Sequence, residues 1–266
     1  MNDYLVALFL GLVEGLTEFL PVSSTAHLLM LTEALHFKGP PGHAFEIFIQ
    51  LGAIFAVIIV YFGKLWTTLI RAPFDPKARH FIYCLIIGTI PALVLGALAH
   101  DFIKTVLYNS PTVMASTLIL GGIIILIFEK RYGDDAKIHD VDSIPLKTAF
   151  LVGCCQAIAL IPGVSRSGAS IIGGRALGLS RTTAAELSFF LAIPIMFAAV
   201  GYDTLKGWHE ITVGDYIGLM LTGFFAAFLT AIIVIKAALR IINKYGFAPF
   251  GWYRIAAGIA VLLLFY

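Results

Sequence analysis

Six uninterrupted apolar runs, at residues 45–62, 81–99, 112–129, 183–202, 214–238 and 248–266, dominate this chain. Each is close to the length a helix needs to cross a lipid bilayer, about 20 apolar residues at a rise of about 1.5 Å each. Lipid is therefore the expected solvent. Composition agrees: 59% of the 266 residues are hydrophobic and 13% are charged, against roughly 25% charged in a soluble domain. A mean hydropathy of +0.93 leaves too little polar surface to coat a water-soluble globule. The net charge of +2 argues neither for nor against nucleic acid, and no basic tract stands out beyond short loops, so no nucleic-acid partner is expected. Cys84, Cys154 and Cys155 lie in apolar stretches, match no zinc or disulfide spacing, and read as small buried hydrophobes. Met1-Asn2-Asp3 lacks the basic start of a signal peptide, so the first apolar stretch is expected to remain in the mature protein.

Two further apolar segments are interrupted. Residues 4–36 are broken at Leu20-Pro21-Val22-Ser23-Ser24-Thr25, and residues 146–179 at Ile161-Pro162-Gly163-Val164-Ser165-Arg166-Ser167-Gly168. Proline stops a helix, and the hydroxyl residues after it cap the next one. Each half is too short to span, so each segment reads as a re-entrant helical hairpin. Such backbone survives at membrane depth only inside protein or beside a water-filled cavity.

The two hairpins resemble each other. A shift of 142 positions (153 − 11) aligns Gly11 with Gly153, Glu14 with Gln156, Val22 with Val164 and Ser23 with Ser165. Each hairpin precedes three spans. Three is odd, so the second half must enter from the opposite side of the membrane. The expectation is an all-α integral membrane protein forming one domain, residues 1–266. It has six transmembrane helices and two re-entrant hairpins in an inverted-topology repeat, about 1–130 and 146–266. Such folds place their sites near the midplane, where broken helices meet. Loop 63–80 carries Lys64, Arg71, Lys77 and Arg79 against Asp75, and loop 239–247 carries Arg240 and Lys244 with no acid. By the positive-inside rule both are cytoplasmic, as then is 130–147. The first hairpin opens outward and the second inward.

The chemistry concentrates in the breaks. Glu14 and Glu18 share one helix face, and a buried like-charged pair needs a cation, a proton or an arginine to compensate it. They suit a hard divalent cation such as Mg²⁺ or Ca²⁺, or a general base, or a pair at a wet helix end. Ser23, Ser24, Thr25 and His27 follow at a helix N-terminus, which suits phosphate. Ser24 is a candidate nucleophile and His27 a candidate nucleophile, base or acid; plain N-capping is the alternative for any one serine. Arg166 costs about 2.5–3.5 kcal/mol to insert into lipid, and its planar fork matches phosphate oxygens. A salt bridge to Glu14 or Glu18 is compatible with that role. Gly163 and Gly168 let backbone approach a ligand, while Ser165, Ser167 and Ser170 add hydroxyls. Glu46, Gln50 and Glu186 start spans, where acids complement the helix dipole; Gln50 is included among the substrate-binding candidates. Arg175 and Arg181 read as topology anchors. His36, His43, His80, His100, His139 and His209 read as loop or interface residues.

Glu14-Gly-Leu-Thr-Glu18-Phe-Leu-Pro-Val-Ser-Ser-Thr-Ala-His27 and Pro162-Gly-Val-Ser-Arg-Ser-Gly-Ala-Ser170 resemble the paired signature motifs of the bacterial undecaprenyl-diphosphate phosphatase, or bacitracin-resistance, family. Phe45-Glu-Ile-Phe-Ile-Gln-Leu-Gly52 resembles a third family stretch, and the similarity runs end to end. Ala26 stands where a glycine is usual and Ser170 where a threonine is usual; neither change removes a reactive group.

The resemblance implies a phosphatase of undecaprenyl diphosphate in the bacterial inner membrane, recycling carrier lipid for peptidoglycan, with its site facing the periplasm. It implies a divalent cation, with metal or acid/base roles for Glu14 and Glu18. It also implies Ser24 and His27 as nucleophile and base candidates, and Arg166 on the diphosphate. A polyprenyl-phosphate transporter or flippase is the rival on architecture. The type-2 phosphatidate phosphatases are excluded, since neither Pro-Ser-Gly-His nor Ser-Arg-x5-His-x3-Asp occurs. The oligomeric state is left open, a homodimer included.

Overall fold

The structure, a computed structural model, describes residues 2–40, 43–108, 110–132, 136–213 and 216–265; for residues 104, 132, 207–213 and 265 it describes backbone only. Almost all of it is helix. The first half runs α1 (Asp3–Thr17), α2 (Ser24–Ala34), α3 (Ala44–Val60), α4 (Phe62–Arg71), α5 (Pro76–Phe102) and α6 (Pro111–Tyr132). The second runs α7 (Leu146–Ala157), α8 (Arg166–Ala176), α9 (Arg181–Val213), α10 (Ile217–Tyr245) and α11 (Ala248–Phe265).

Among the described residues four helices, α5, α6, α9 and α10, are long and apolar enough to cross a bilayer, and α3 with α4 makes a fifth candidate bent by 71°. The chain is thus an all-helical, multi-pass membrane protein. The helix α11 is apolar but shorter, at 18 residues. Helix ends differ from the sequence expectation at several places, of which three bear on the site and its sidedness. The 45–62 run ends early, because Tyr61 leaves helical geometry (φ −104°, ψ 18°) and turns the chain into α4. There Phe62, Trp66, Leu69 and Ile70 are exposed, while Lys64 pairs with Asp142 at 3.0 Å. That composition suits a helix lying along the lipid–water interface. Residues 239–245, expected as loop, continue α10 until Gly246 (φ 67°) ends it, so Arg240 and Lys244 sit on the last helical turns, where cations are favoured. Residues 203–213, also expected as loop, extend α9. In loop 130–147, residues 133–135 lie outside the described residues, as does the side chain of His209.

The two broken segments fold as helix–turn–helix pairs, α1/α2 and α7/α8. Neither α1, at 15 residues, nor α7, at 12, is long enough to span alone. Each first half is seated on a long helix of the other half of the chain, α1 on α10 and α7 on α5. Glycine makes both seats possible. A Cβ at Gly11 would strike the carbonyl oxygen of Gly223, and one at Gly153 would strike that of Gly88. Small residues allow such backbone approach in lipid, where packing rather than the hydrophobic effect drives helix association. The α1/α2 turn is anchored by Phe19, which is fully buried and meets the Phe189 ring of α9 edge-on at 5.2 Å. The tips of the two pairs meet: Ser167 donates to the carbonyl of Leu20 at 2.8 Å.

Candidate active site

The two tips share a local device. Ser23 caps α2 and Ser165 caps α8, and both hold positive φ, 69° and 74°. The Ser23 hydroxyl accepts from the Ala26 N–H at 3.4 Å, and that of Ser165 from the Gly168 N–H at 3.1 Å. A non-glycine residue in this region stores strain of about 1–3 kcal/mol and persists where surrounding contacts enforce it. These serines, aligned by the 142-residue shift, are therefore capping residues.

Between the tips, Glu18 is gripped on both oxygens. Arg166 Nε and Nη2 donate to Glu18 Oε1 at 3.3 and 3.1 Å. Ser24 Oγ donates to Glu18 Oε2 at 2.5 Å. Arg166 Nη1 donates to the carbonyl of Ser188 on α9 at 2.7 Å. Ser188 is held in turn by Ser170, whose hydroxyl donates to it at 2.8 Å. Hydroxyl, carboxylate and guanidinium thus form one chain that crosses from one hairpin to the other. It faces a cavity of ≈ 490 Å³, whose walls include Ser23, Ser24, Thr25, Gln50, Gly163 and Ser165 as well as Glu18 and Arg166. Apolar residues of α5 and α9, among them Leu93, Gly96, Ile195 and Met196, form its other side.

Other expected residues lie outside the cavity wall. Ser167, Gly168 and Ser170 tie the α8 tip to its surroundings. His27 turns away. Its Nδ1 lies 2.7 Å from the Ser23 carbonyl and its Nε2 2.6 Å from the Tyr253 hydroxyl. A carbonyl only accepts, so Nδ1 carries the proton and Nε2 accepts from Tyr253. Glu14 is fully buried and neither carboxylate oxygen has a hydrogen-bond partner, while the charges of Glu18 and Arg166 act on it. Two orphaned carboxylate oxygens beside a second carboxylate fit a hard divalent cation. Among the described residues no group of three or more His, Cys, Asp or Glu is placed to hold a metal ion.

The sequence profile of the bacitracin resistance protein BacA family matches residues 7–260. The chain belongs to the BacA family. It is 48% identical over 266 residues to an undecaprenyl-diphosphatase of Caulobacter vibrioides, covering 100% of this chain and 99% of that one. It is 46% identical over 262 residues to one of Paracoccus denitrificans, covering 98% and 97%. A third, of Cereibacter sphaeroides, is 45% identical over 258 residues, covering 97% and 95%.

Several residues of this BacA-family chain have roles that the sequence did not disclose. Arg254, in the middle of α11, is 1% exposed and bonds to both tips. The rule that flagged Arg166, an ionisable residue at membrane depth, would have found it too. Gln156, aligned with Glu14, lines the cavity with neither amide atom bonded. His100, expected at an interface, lines the cavity with Tyr108, Tyr202 and Asp203, and lies 3.1 Å from Asp203. Arg175 is buried and donates to the Leu179 carbonyl at 2.8 Å; Arg181 pairs with Glu129 at 2.6 Å. Of the cysteines, Cys84 is buried as expected but Cys154 is exposed on the helix exterior. Glu186 accepts from Tyr61 at 3.4 Å and Glu46 lies 3.6 Å from His43, both away from this cavity.

Proposed function

We propose that this protein hydrolyses undecaprenyl diphosphate to undecaprenyl phosphate and inorganic phosphate, with Ser24 as nucleophile. The activity recycles carrier lipid for peptidoglycan synthesis and confers bacitracin resistance. The observation that carries the chemistry is the Ser24–Glu18–Arg166 chain on the cavity wall. A nucleophile bonded to its base, with the base oriented by a third group, is the arrangement an activated hydroxyl requires.

In the reaction, the diphosphate enters between the tips and Arg166 turns its fork from Glu18 to the phosphoryl oxygens. Ser24 Oγ attacks the terminal phosphorus and its proton passes to Glu18. The bond from that phosphorus to the bridging oxygen breaks, and the lipid monophosphate leaves with the bridging oxygen and the proton from Glu18. Water then attacks the phosphoserine, Glu18 takes its proton, the serine–phosphorus bond breaks, and Glu18 returns the proton to Ser24. Glu14 and Glu18 would hold Mg²⁺ or Ca²⁺, which supplies charge neutralisation on the phosphate oxygens. Helix N-termini at both tips add positive potential where charge builds. The polyprenyl tail leaves along the apolar wall between α5 and α9 into lipid.

The architecture in this reading is six spans, with α11 the last, and two re-entrant hairpins in an inverted repeat. Its support is the reciprocal seating of α1 on α10 and α7 on α5, through matching glycine contacts. The cavity residues His100, Tyr202 and Asp203 lie toward the ends of α5 and α9 far from the basic residues Arg71, Lys77 and Arg79, and in this reading the cavity mouth is there. The positive-inside rule then turns the mouth to the periplasmic face of the inner membrane. Each chain holds a whole cavity, so a homodimer would carry two complete sites.

Transport of the lipid phosphate needs two compartments; hydrolysis needs none. The test is phosphate release from C55 diphosphate by purified protein in detergent with Mg²⁺. Wild-type protein should turn over, and Arg166→Ala and Glu18→Ala should lose all measurable release while eluting as the wild type does. Near-normal turnover in either variant would remove the mechanism; no release by wild type would favour the transporter.

A further inference from the structure

Arg254 sits mid-way along α11, 1% exposed. A guanidinium carries five N–H donors in a rigid fork, and here all five are spent on backbone carbonyls. Nε donates to Leu118 at 3.4 Å. Nη1 donates to Pro21 at 3.2 Å and to Val164 at 2.9 Å. Nη2 donates to Thr117 at 3.0 Å and to Gly163 at 2.7 Å. Among the described residues no carboxylate pairs with it. One side chain therefore binds the first tip through Pro21, the second through Gly163 and Val164, and the middle of α6 through Thr117 and Leu118.

Space has been cleared for it. A Cβ on Gly121 of α6 would collide with the guanidinium, and one on Gly122 would lie 2.6 Å from the carbonyl oxygen of Gly251. The neighbouring residue of α11, Tyr253, bonds His27, whose Nδ1 holds the carbonyl of the strained Ser23. Two consecutive residues of one helix thus fix the backbone on which Ser24, Glu18 and Arg166 converge.

We propose that Arg254 is a positioning residue, a cationic clamp that holds the two hairpin tips in register so that Ser24 and Glu18 on one meet Arg166 on the other. It has no donor left for a phosphate, and it does not line the cavity, so it acts through the tips and not on substrate. Only arginine suits the place. Lysine offers three donors from one point and cannot reach carbonyls on three sides. A methionine of similar length offers none and leaves the tip carbonyls of Pro21, Gly163 and Val164 without this donor at membrane depth.

The inference rests on the phosphatase reading of the site for its kinetic arm. Full-length Arg254→Lys and Arg254→Met, purified in detergent, are compared with wild type in two measurements. The first is the kcat and KM of phosphate release from C55 diphosphate. A clamp that lets the tips shift by about 1 Å should lower kcat about 100-fold while KM changes less than about threefold, since Arg166 still grips the headgroup. The second is peptide-resolved amide hydrogen exchange. Residues 18–25 and 161–168 should exchange faster in the variants while the cores of α3 and α9 exchange as in wild type. A merely structural arginine would raise exchange throughout and leave the KM and kcat of the surviving folded fraction unchanged. That pattern overturns the assignment, as does kcat within threefold of wild type with both tips still protected. Should Arg254→Lys fail to fold at all, Arg254 is a folding residue and the clamp is wrong. Failure of wild type to release phosphate would instead strike at the reading of the site, and the exchange pattern would still decide the clamp.

Discussion

Ser24 and His27 stand three residues apart, yet the structure gives them different tasks. The Ser24 hydroxyl opens on the cavity and shares a 2.5 Å hydrogen bond with Glu18. His27 has both ring nitrogens engaged, with Ser23 and Tyr253, and does not line the cavity. An imidazole attacking phosphorus needs a free ring nitrogen aimed at it. Label in the terminal phosphate of C55 diphosphate should therefore be trapped on Ser24 by rapid acid quench and found there by peptide mapping, never on His27. Ser24→Ala should trap none and lose at least about 10³-fold in kcat, as removal of a nucleophile does elsewhere. Retention of a tenth or more of the rate would hand the attack to water. The charged members of the site were legible because carboxylate and guanidinium are costly in lipid and need a reason to be there. The division of labour among Ser23, Ser24, Ser165 and Ser167 was not. It depends on which serine takes positive φ, a property of the closed tip and not of residue type.

At the scale of helices, both helix breaks were legible because proline and glycine punctuate apolar sequence that otherwise continues. The ends of spans were less so. Arg240 and Lys244 read as a loop but ride on the last turns of α10, since long cationic side chains can snorkel from a helix end to water. The bend at Tyr61 has no proline to announce it, and α4 was read as loop because its polar residues interrupt the apolar run. Arg254 escaped notice because it stands alone in an apolar helix with no motif around it. The glycine seats carry the element-scale prediction. Gly153→Leu must push α7 off the Gly88 backbone, which cannot yield as a flexible side chain would. Overpacking of this kind costs about 1–3 kcal/mol, read in detergent as an unfolding midpoint lower by roughly 2–10 °C. Gly63→Ala is the control: nothing lies within 4 Å of its new methyl, and helix propensity favours alanine by about 1 kcal/mol, so its midpoint should hold or rise. Equal losses in the two variants would mean that the seats do not set the packing.

For the whole molecule, sidedness decides which leaflet delivers the substrate. Charge and cavity divide along the same axis. The basic residues gather where α4 meets α5, around the exposed Phe74, which is 87% accessible, whereas the cavity residue His100 lies at the other end of α5 next to Asp101, whose side chain is 85% accessible. A headgroup carrying several negative charges cannot cross the hydrocarbon layer unaided, so the mouth must open on the leaflet where the diphosphate is found. With Cys84, Cys154 and Cys155 replaced, a single cysteine at Asp101 should react with a membrane-impermeant maleimide added to intact cells with the outer membrane opened. A single cysteine at Phe74 should react only once the inner membrane is permeabilised. The two positions lie near opposite ends of one continuous helix and its preceding turn, so they cannot both face the same compartment if α5 spans. Reaction of both in intact cells would deny α5 a transmembrane course. The reverse pattern would keep the fold and place the phosphatase on the cytoplasmic leaflet, where the positive-inside reading of the 63–80 segment would be the part that failed.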